Sequence, residues 1–193
     1  MGTESGQVEM EKNKRYAVII ILVTNAILIS LLESFIPIPV PVPGVKLGLA
    51  NIITLIAVVF LRPRDVLLVV TIRCIVVALL TRGVMMLAFS LSGGILSALV
   101  MIFLYKKLSN HFSIKGISVA GAIVHNTAQI SVAGFLLAES VILLYLPVLL
   151  ISAVITGFIT GTIGQIAISE IKEKGILSGN KKSAVRIGEE ASK

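Results

Sequence analysis

The chain has 193 residues, of which 56% are hydrophobic and 14% charged, and its formal net charge is +7. A soluble domain of this length cannot bury so much apolar surface in one core, so the composition indicates a membrane protein. The basic residues lie between and beyond the apolar runs without interleaved aromatics, which excludes a nucleic-acid-binding face. The positive charge is expected instead to set the topology and to attract anionic membrane lipid.

Six apolar runs predict an all-α membrane protein with six transmembrane helices, at about 17–36, 47–61, 66–81, 84–105, 116–138 and 141–168. The first run is long enough to cross a bilayer and too long for the core of a cleavable signal. The second and third are short, which would also suit a re-entrant hairpin. The turn Arg62-Pro63-Arg64-Asp65 between them favours a loop at a membrane surface.

Lys and Arg are distributed unequally over the two sides of this bundle. Fourteen of the 17 lie in the two tails and in the second and fourth loops, whereas Lys46 and Arg82 lie on the opposite side. The positive-inside rule then places both termini of a multi-pass cell-membrane protein in the cytoplasm. The predicted divisions are a tail at 1–14, a transmembrane domain at 15–168 and a tail at 169–193. Both tails are expected to be solvated and partly disordered, although the last helix could continue through 170–174.

The first external loop has proline at every second position from Pro37 to Pro43, followed by Gly44. Such a sequence forbids a helix and favours a stiff, extended polyproline arm, which the glycine allows to turn back. The arm at 37–46 is either a lid over an outward-facing pocket or a rigid spacer between two helices.

Polar side chains inside the spans are the best indicators of a site, because each is costly in lipid unless it is paired or faces a cavity. The predicted substrate-binding residues are Glu33, Lys46, Asn51, Thr54, Arg73, Arg82, His125, Asn126 and Gln129. Helix directions place Arg73 and His125 deepest and the others nearer the outside, and helical spacing puts the last three on roughly one face. The set either lines one outward cavity or holds helices together.

The charges of this set are unbalanced, because three cations accompany a single carboxylate, Glu33. A neutral apolar ligand needs no such surplus, whereas a carboxylate or phosphate group would use it. The set therefore predicts an anionic ligand, unless Glu33 and Arg73 simply pair with each other.

Small residues concentrate in the fourth and sixth spans. The two groups are Ser90, Ser92, Gly93, Gly94, Ser97 and Ala98, and then Gly157, Thr160, Gly161 and Gly164, in which Gly157 and Gly161 form a G-x-x-x-G pair. Both groups permit close helix contact, either inside the bundle or with a docked membrane partner.

Motifs for catalysis are missing from the sequence. It has no G-x-x-x-x-G-K-[ST] for nucleotide phosphates, no zinc cluster and no nucleophile elbow. Its single aspartate, Asp65, cannot form the aspartate pairs that hold magnesium against a diphosphate. We therefore expect neither an enzyme nor a resident cofactor.

Two stretches, LESFIP at 32–37 and PGVKLGLANI at 43–52, resemble the family called Gx transporters. Many members of that family carry the label heptaprenyl diphosphate synthase component I. Further matches are Ser92, Gly93, Gly94 and Ser97, and then Gly121, His125, Asn126 and Gln129. The resemblance covers roughly 15–168.

That family is similar in fold to the S components of energy-coupling factor transporters, six-helix membrane proteins that capture a vitamin beneath a first-loop lid. The resemblance implies an S-component-like bundle with the arm at 37–46 as lid and the outer polar residues as pocket. It also implies a transmembrane coupling subunit and ATPases as partners. S components often carry Ala-x-x-x-Ala on the first helix for that subunit, where this sequence has Ala26-x-x-x-Ser30.

Three functions compete at this point. The first is a substrate-capture subunit for a small anionic or vitamin-like molecule, for which a flavin is a candidate because some relatives resemble flavin transporters. The second is a non-catalytic membrane accessory subunit of polyprenyl diphosphate or quinone biosynthesis, whose diphosphate would also use the surplus cations. The third is a scaffold without a ligand.

Overall fold

The computed structural model describes residues 2–36, 48–81 and 83–174, so Lys46, Arg82, the arm at 37–46 and the tail after Lys174 lie outside the described residues. Within these ranges the chain forms six α-helices and no strand, as predicted. The helices are α1 Gly2–Ser34, α2 Asn51–Phe60, α3 Pro63–Thr81, α4 Val84–Lys107, α5 Ile114–Leu136 and α6 Leu146–Glu173, and a short 3-10 helix, Ser140–Tyr145, precedes α6.

Four of the six helices are long and apolar enough to cross a membrane. These spans are Asn13–Ser34, Met85–Lys107, Ile114–Leu136 and Val141–Glu173. With 10 residues, α2 is about 15 Å long, which is half of a hydrocarbon core of about 30 Å. The 19-residue α3 carries Asp65 and Arg73. The count of six full spans therefore stays a prediction.

The N-terminal tail differs from the expectation, whereas the described part of the C-terminal tail agrees with it. The N-terminal tail is helical from Gly2, where the sequence predicted a partly disordered segment. The segment contains no proline and is rich in Glu and Lys, which continue a helix at little cost. At the other end α6 continues to Glu173, as predicted, and the Lys174 ammonium lies 3.1 Å from the Glu170 carboxylate one turn earlier.

The short helix α2 lies inside the bundle. Seven of its 10 residues are buried, and it packs against each of the other five α-helices. Around it, α5 packs between α4 and α6, and α3 packs between α1 and α4. This central position places the polar residues at the start of α2 against several helices at once.

Glycines of α6 allow α5 and α6 to pack closely in antiparallel orientation. A Cβ atom on Gly157 would lie 2.7 Å from the Cα atom of Val119, and one on Gly161 would lie 2.8 Å from the Cα atom of Lys115. Both distances are too short for a real Cβ contact. The G-x-x-x-G pair therefore serves packing inside the bundle, which confirms the first of its two interpretations.

Polar and apolar residues are distributed as in a membrane protein. Large apolar side chains are exposed on α1 and α6: Ile20, Ile21, Leu28, Leu32, Ile151, Ile155, Phe158, Ile159, Ile163 and Ile166. By contrast, buried polar or charged residues occur on each of the six helices. Ala26 and Ser30, the equivalents of the Ala-x-x-x-Ala pair, are also buried, so this small-residue face points into the bundle.

Candidate functional site

The first helix defines two ends of the molecule. From Arg15 to Glu33, α1 rises about 27 Å, close to the thickness of a hydrocarbon core. We call the two extremities the Arg15 end and the Glu33 end. An ion pair between Arg15 and Asp65 places the starts of the apolar part of α1 and of α3 at the same end. In the predicted topology the Glu33 end faces outward.

Glu33 holds the chain segment that enters α2. Its side chain is 2% exposed, and its Oε1 accepts a hydrogen bond from the backbone N–H of Gly48. Gly48 has φ +84°, a left-handed conformation that favours glycine, and a Cβ atom there would lie 2.9 Å from Asn51 Nδ2. Glu33, Gly48 and Asn51 therefore form one structural unit.

Two polar side chains of α5 lie between this unit and α4. A Cβ atom on Gly48 would lie 3.2 Å from His125 Cδ2. A Cβ atom on Gly93 would lie 2.8 Å from Gln129 Cγ and 3.1 Å from His125 Nδ1. The first glycine of the Gly93-Gly94 pair thus makes room for the α5 side chains, and His125 connects α4 with the start of α2.

The second glycine of the pair makes room for Arg73 on α3. A Cβ atom on Gly94 would lie 3.0 Å from Arg73 Nη2. The Arg73 side chain is buried, and its Nη2 donates a long, weak hydrogen bond of 3.8 Å to Cys74 Sγ. Within the described residues the ion pairs are Arg15–Asp65 and Lys174–Glu170, so the expected alternative, pairing of Glu33 with Arg73, is wrong.

These contacts join five helices, α1 to α5, around one group of side chains. We call it the buried polar cluster: Glu33, Gly48, Asn51, Arg73, Gly93, Gly94, His125 and Gln129. Inside and beside it, several buried polar atoms find no hydrogen-bond partner in the described part of the chain: Asn51 Oδ1 and Nδ2, Ser97 Oγ and Asn126 Oδ1. Each such atom lowers the stability of the folded bundle by about 1–3 kcal/mol.

Of the remaining predicted residues, Asn126 lies apart from this cluster. Asn126 Nδ2 donates a 3.0 Å hydrogen bond to the Leu149 carbonyl of α6, so Asn126 faces a different helix from His125 and Gln129. This corrects the expectation that the three share one face, because adjacent helical residues point about 100° apart. Thr54 is buried one turn after Asn51. Lys46 and Arg82 lie outside the described residues.

Sequence reasoning missed a second polar feature, at the Arg15 end. Arg15 Nε donates a 2.9 Å hydrogen bond to Asp65 Oδ2, and Arg15 Nη2 donates to Asp65 Oδ1. A cleft of about 570 Å³ beside this pair is lined by Arg15, Arg62, Pro63 and Arg64. The sequence marked these arginines as topology signals alone. The position of Asp65, the single aspartate of the sequence, directly after Arg64 was the signal that could have indicated more.

Metal-ligating residues are not grouped in the described ranges, where no three His, Cys, Asp or Glu residues could hold one ion. Cys74 is buried, and its Sγ donates to the Ser90 carbonyl at 3.4 Å. This hydrogen bond links α3 to α4.

Comparison with known proteins gives one match. The family model described as heptaprenyl diphosphate synthase component I matches residues 22–167, about three quarters of the chain. No curated protein and no solved structure matches the chain. The matched range begins within α1 and ends within α6, and it includes every residue of the buried polar cluster while leaving Arg15 outside.

Proposed function

The chain belongs to the family described as heptaprenyl diphosphate synthase component I, and within that family we propose that it is a membrane substrate-binding subunit. It captures a small anionic or vitamin-like molecule from the extracytoplasmic side and itself catalyses no reaction. The buried polar cluster is the proposed binding site, and Lys46, Thr54, Arg82 and Asn126 complete the proposed substrate-binding set.

This proposal rests on the burial of Arg73 and on its contacts. A guanidinium inside a membrane bundle is costly unless an opposite charge accompanies it. Arg73 is 3% exposed, and its polar contact in the described structure is the weak one to Cys74 Sγ. A carboxylate or phosphate group of a ligand would supply the missing negative charge through charge-assisted hydrogen bonds.

The position of the cluster supports capture from outside. Glu33 precedes the arm at 37–46 and Gly48 follows it, and a hydrogen bond joins these two flanking residues within the cluster. A loop closed in this way is suited to act as a lid. The proposed topology has six spans, both termini in the cytoplasm and this end outside the cell, and the distribution of Lys and Arg supports it.

The proposed partners follow from the S-component likeness. A transmembrane coupling subunit and ATPases would supply the energy for movement, and a flavin is one candidate cargo. Because Ala26 and Ser30 are buried within the bundle, a coupling subunit would have to dock on another face of α1.

The family description favours a second candidate function. The words "component I" in that description imply that the synthase has other components. A non-catalytic membrane accessory subunit of polyprenyl diphosphate or quinone biosynthesis would satisfy the description. A stoichiometric complex with a soluble, aspartate-rich synthase would favour this second function over substrate capture.

Titration of the purified protein with flavin mononucleotide tests the proposed site with one anionic flavin. Asn51→Ala removes a buried amide of the cluster, whereas Asn25→Ala removes an exposed amide of α1 that donates a hydrogen bond to the Ile21 carbonyl of its own helix. We expect Asn51→Ala to weaken binding about tenfold, since a ligand hydrogen bond is worth about 1–1.5 kcal/mol, and Asn25→Ala to leave it unchanged. Equal affinity in both variants would remove Asn51 from the site.

A further inference from the structure

A second polar feature lies at the opposite end of the molecule from the buried polar cluster. The cleft of about 570 Å³ lined by Arg15, Arg62, Pro63 and Arg64 is situated at the turn between α2 and α3. Its volume falls within the range of roughly 300–1,000 Å³ that is usual for small-ligand sites. Arg15 and Glu33 are about 27 Å apart along α1, so the cleft is separate from the cluster.

The cleft carries a surplus of positive charge. Asp65 is the carboxylate bound to Arg15, which leaves Arg62 and Arg64 as exposed guanidiniums without an ion pair in the described structure. Asp65 binds Arg15 through Nε and Nη2, so the planar group is held in place while its other N–H donors remain available. Pro63 stiffens the backbone between Arg62 and Arg64.

The residues that follow Arg15 on α1 indicate the level of the cleft relative to the membrane. Tyr16 is exposed, and the exposed apolar residues Ile20 and Ile21 begin about one turn later. Aromatic residues are enriched at the boundary between lipid and water, and the apolar face beyond it belongs in the hydrocarbon. Arg15 and the cleft therefore lie at the level of lipid headgroups.

We propose that this arginine cleft binds a phosphate or diphosphate group, carried by a membrane lipid at headgroup level. Guanidinium groups match the oxygens of phosphate in a planar, bidentate fashion, which ammonium groups do not. The surplus of two positive charges fits an anion that carries about two negative charges, as a phosphomonoester does. The proposal does not depend on the proposed function, because none of its residues belongs to the buried polar cluster.

The test uses the full chain in a non-ionic detergent that contains no phosphate. The probes are inorganic diphosphate, farnesyl diphosphate and phosphatidic acid, the first two followed by equilibrium binding and the third by native mass spectrometry. The variant R62Q/R64Q removes two charges from the cleft. The matched control K106Q/K107Q removes two exposed charges from the end of α4, outside the cleft.

We expect R62Q/R64Q to weaken binding roughly tenfold or more, the effect of losing charge-assisted hydrogen bonds, and the control to weaken it less than about threefold. Tight binding of farnesyl diphosphate or phosphatidic acid, with weak binding of inorganic diphosphate, assigns the phosphate to a lipid. Comparable binding of all three probes assigns the site to a free anion, which overturns the lipid part of the proposal. Equal losses in the two variants, or no binding of any probe by the wild-type protein, overturn the site itself.

Discussion

At the scale of single residues, burial is the property that the sequence predicted best. Every predicted site residue in the described ranges is buried, from Glu33 to Gln129. The reason is that polar groups in an apolar run have to avoid lipid. The contacts among them could not be predicted, because a helical period fixes a direction on one helix and says nothing about the neighbour. Asn126, which faces α6, shows this limit.

Gly48 is a position at which we expect any side chain to be disfavoured. Ala at this position would adopt an unfavourable positive φ and would place Cβ 2.9 Å from Asn51 Nδ2. We expect Gly48→Ala to lower the free energy of unfolding by about 1–3 kcal/mol, measured by denaturant titration in mixed detergent. Gly116→Ala is the matched control, because its Cβ would meet Phe112 and Ser113 at ordinary distances of 3.5 and 3.6 Å. Equal stability of the two variants would show that Gly48 is not constrained.

At the scale of elements, the sequence predicted the six apolar helices. It did not predict the shortness of α2, the helix that packs on the G-x-x-x-G pair or the helical N-terminal tail. The run at 47–61 becomes the 10-residue α2, because the segment entering it is bound to Glu33 and turns at Gly48 before the helix begins. The G-x-x-x-G pair indicated close packing, but its partner helix, α5, became known only from the structure. The tail at 1–14 was judged by its polarity, although its residues continue α1.

The α5–α6 contact gives a prediction at this scale. Gly161→Ala would bring a methyl group within 2.8 Å of the Lys115 Cα atom, so the two helices would have to separate. We expect a loss of about 1–3 kcal/mol in stability, seen as a lower midpoint of thermal unfolding in detergent. Gly134→Ala, whose Cβ would be no closer than 3.6 Å to any neighbour, should leave the midpoint unchanged or slightly higher. A midpoint equally unaffected in Gly161→Ala would contradict the packing described for this helix pair.

At the scale of the whole molecule, polar features lie at both ends of one bundle. The buried polar cluster lies at the Glu33 end, and the arginine cleft lies at the Arg15 end. Composition predicted a membrane protein, and the charge distribution predicts which end faces the cytoplasm. The cleft could not be predicted, because it forms between Arg15 and a turn that is about 50 residues later in the chain.

A native mass spectrum of the gently purified wild-type protein, recorded beside that of its Arg73→Gln variant, tests whether Arg73 serves an anionic ligand. We expect a bound anion of vitamin-like size in the wild-type protein, because Arg73 lacks a carboxylate partner within the described residues. Loss of that charge should release the anion while the protein stays folded. A wild-type protein without a bound anion, or one whose bound anion persists equally in Arg73→Gln, would contradict the claim that Arg73 serves an anionic ligand.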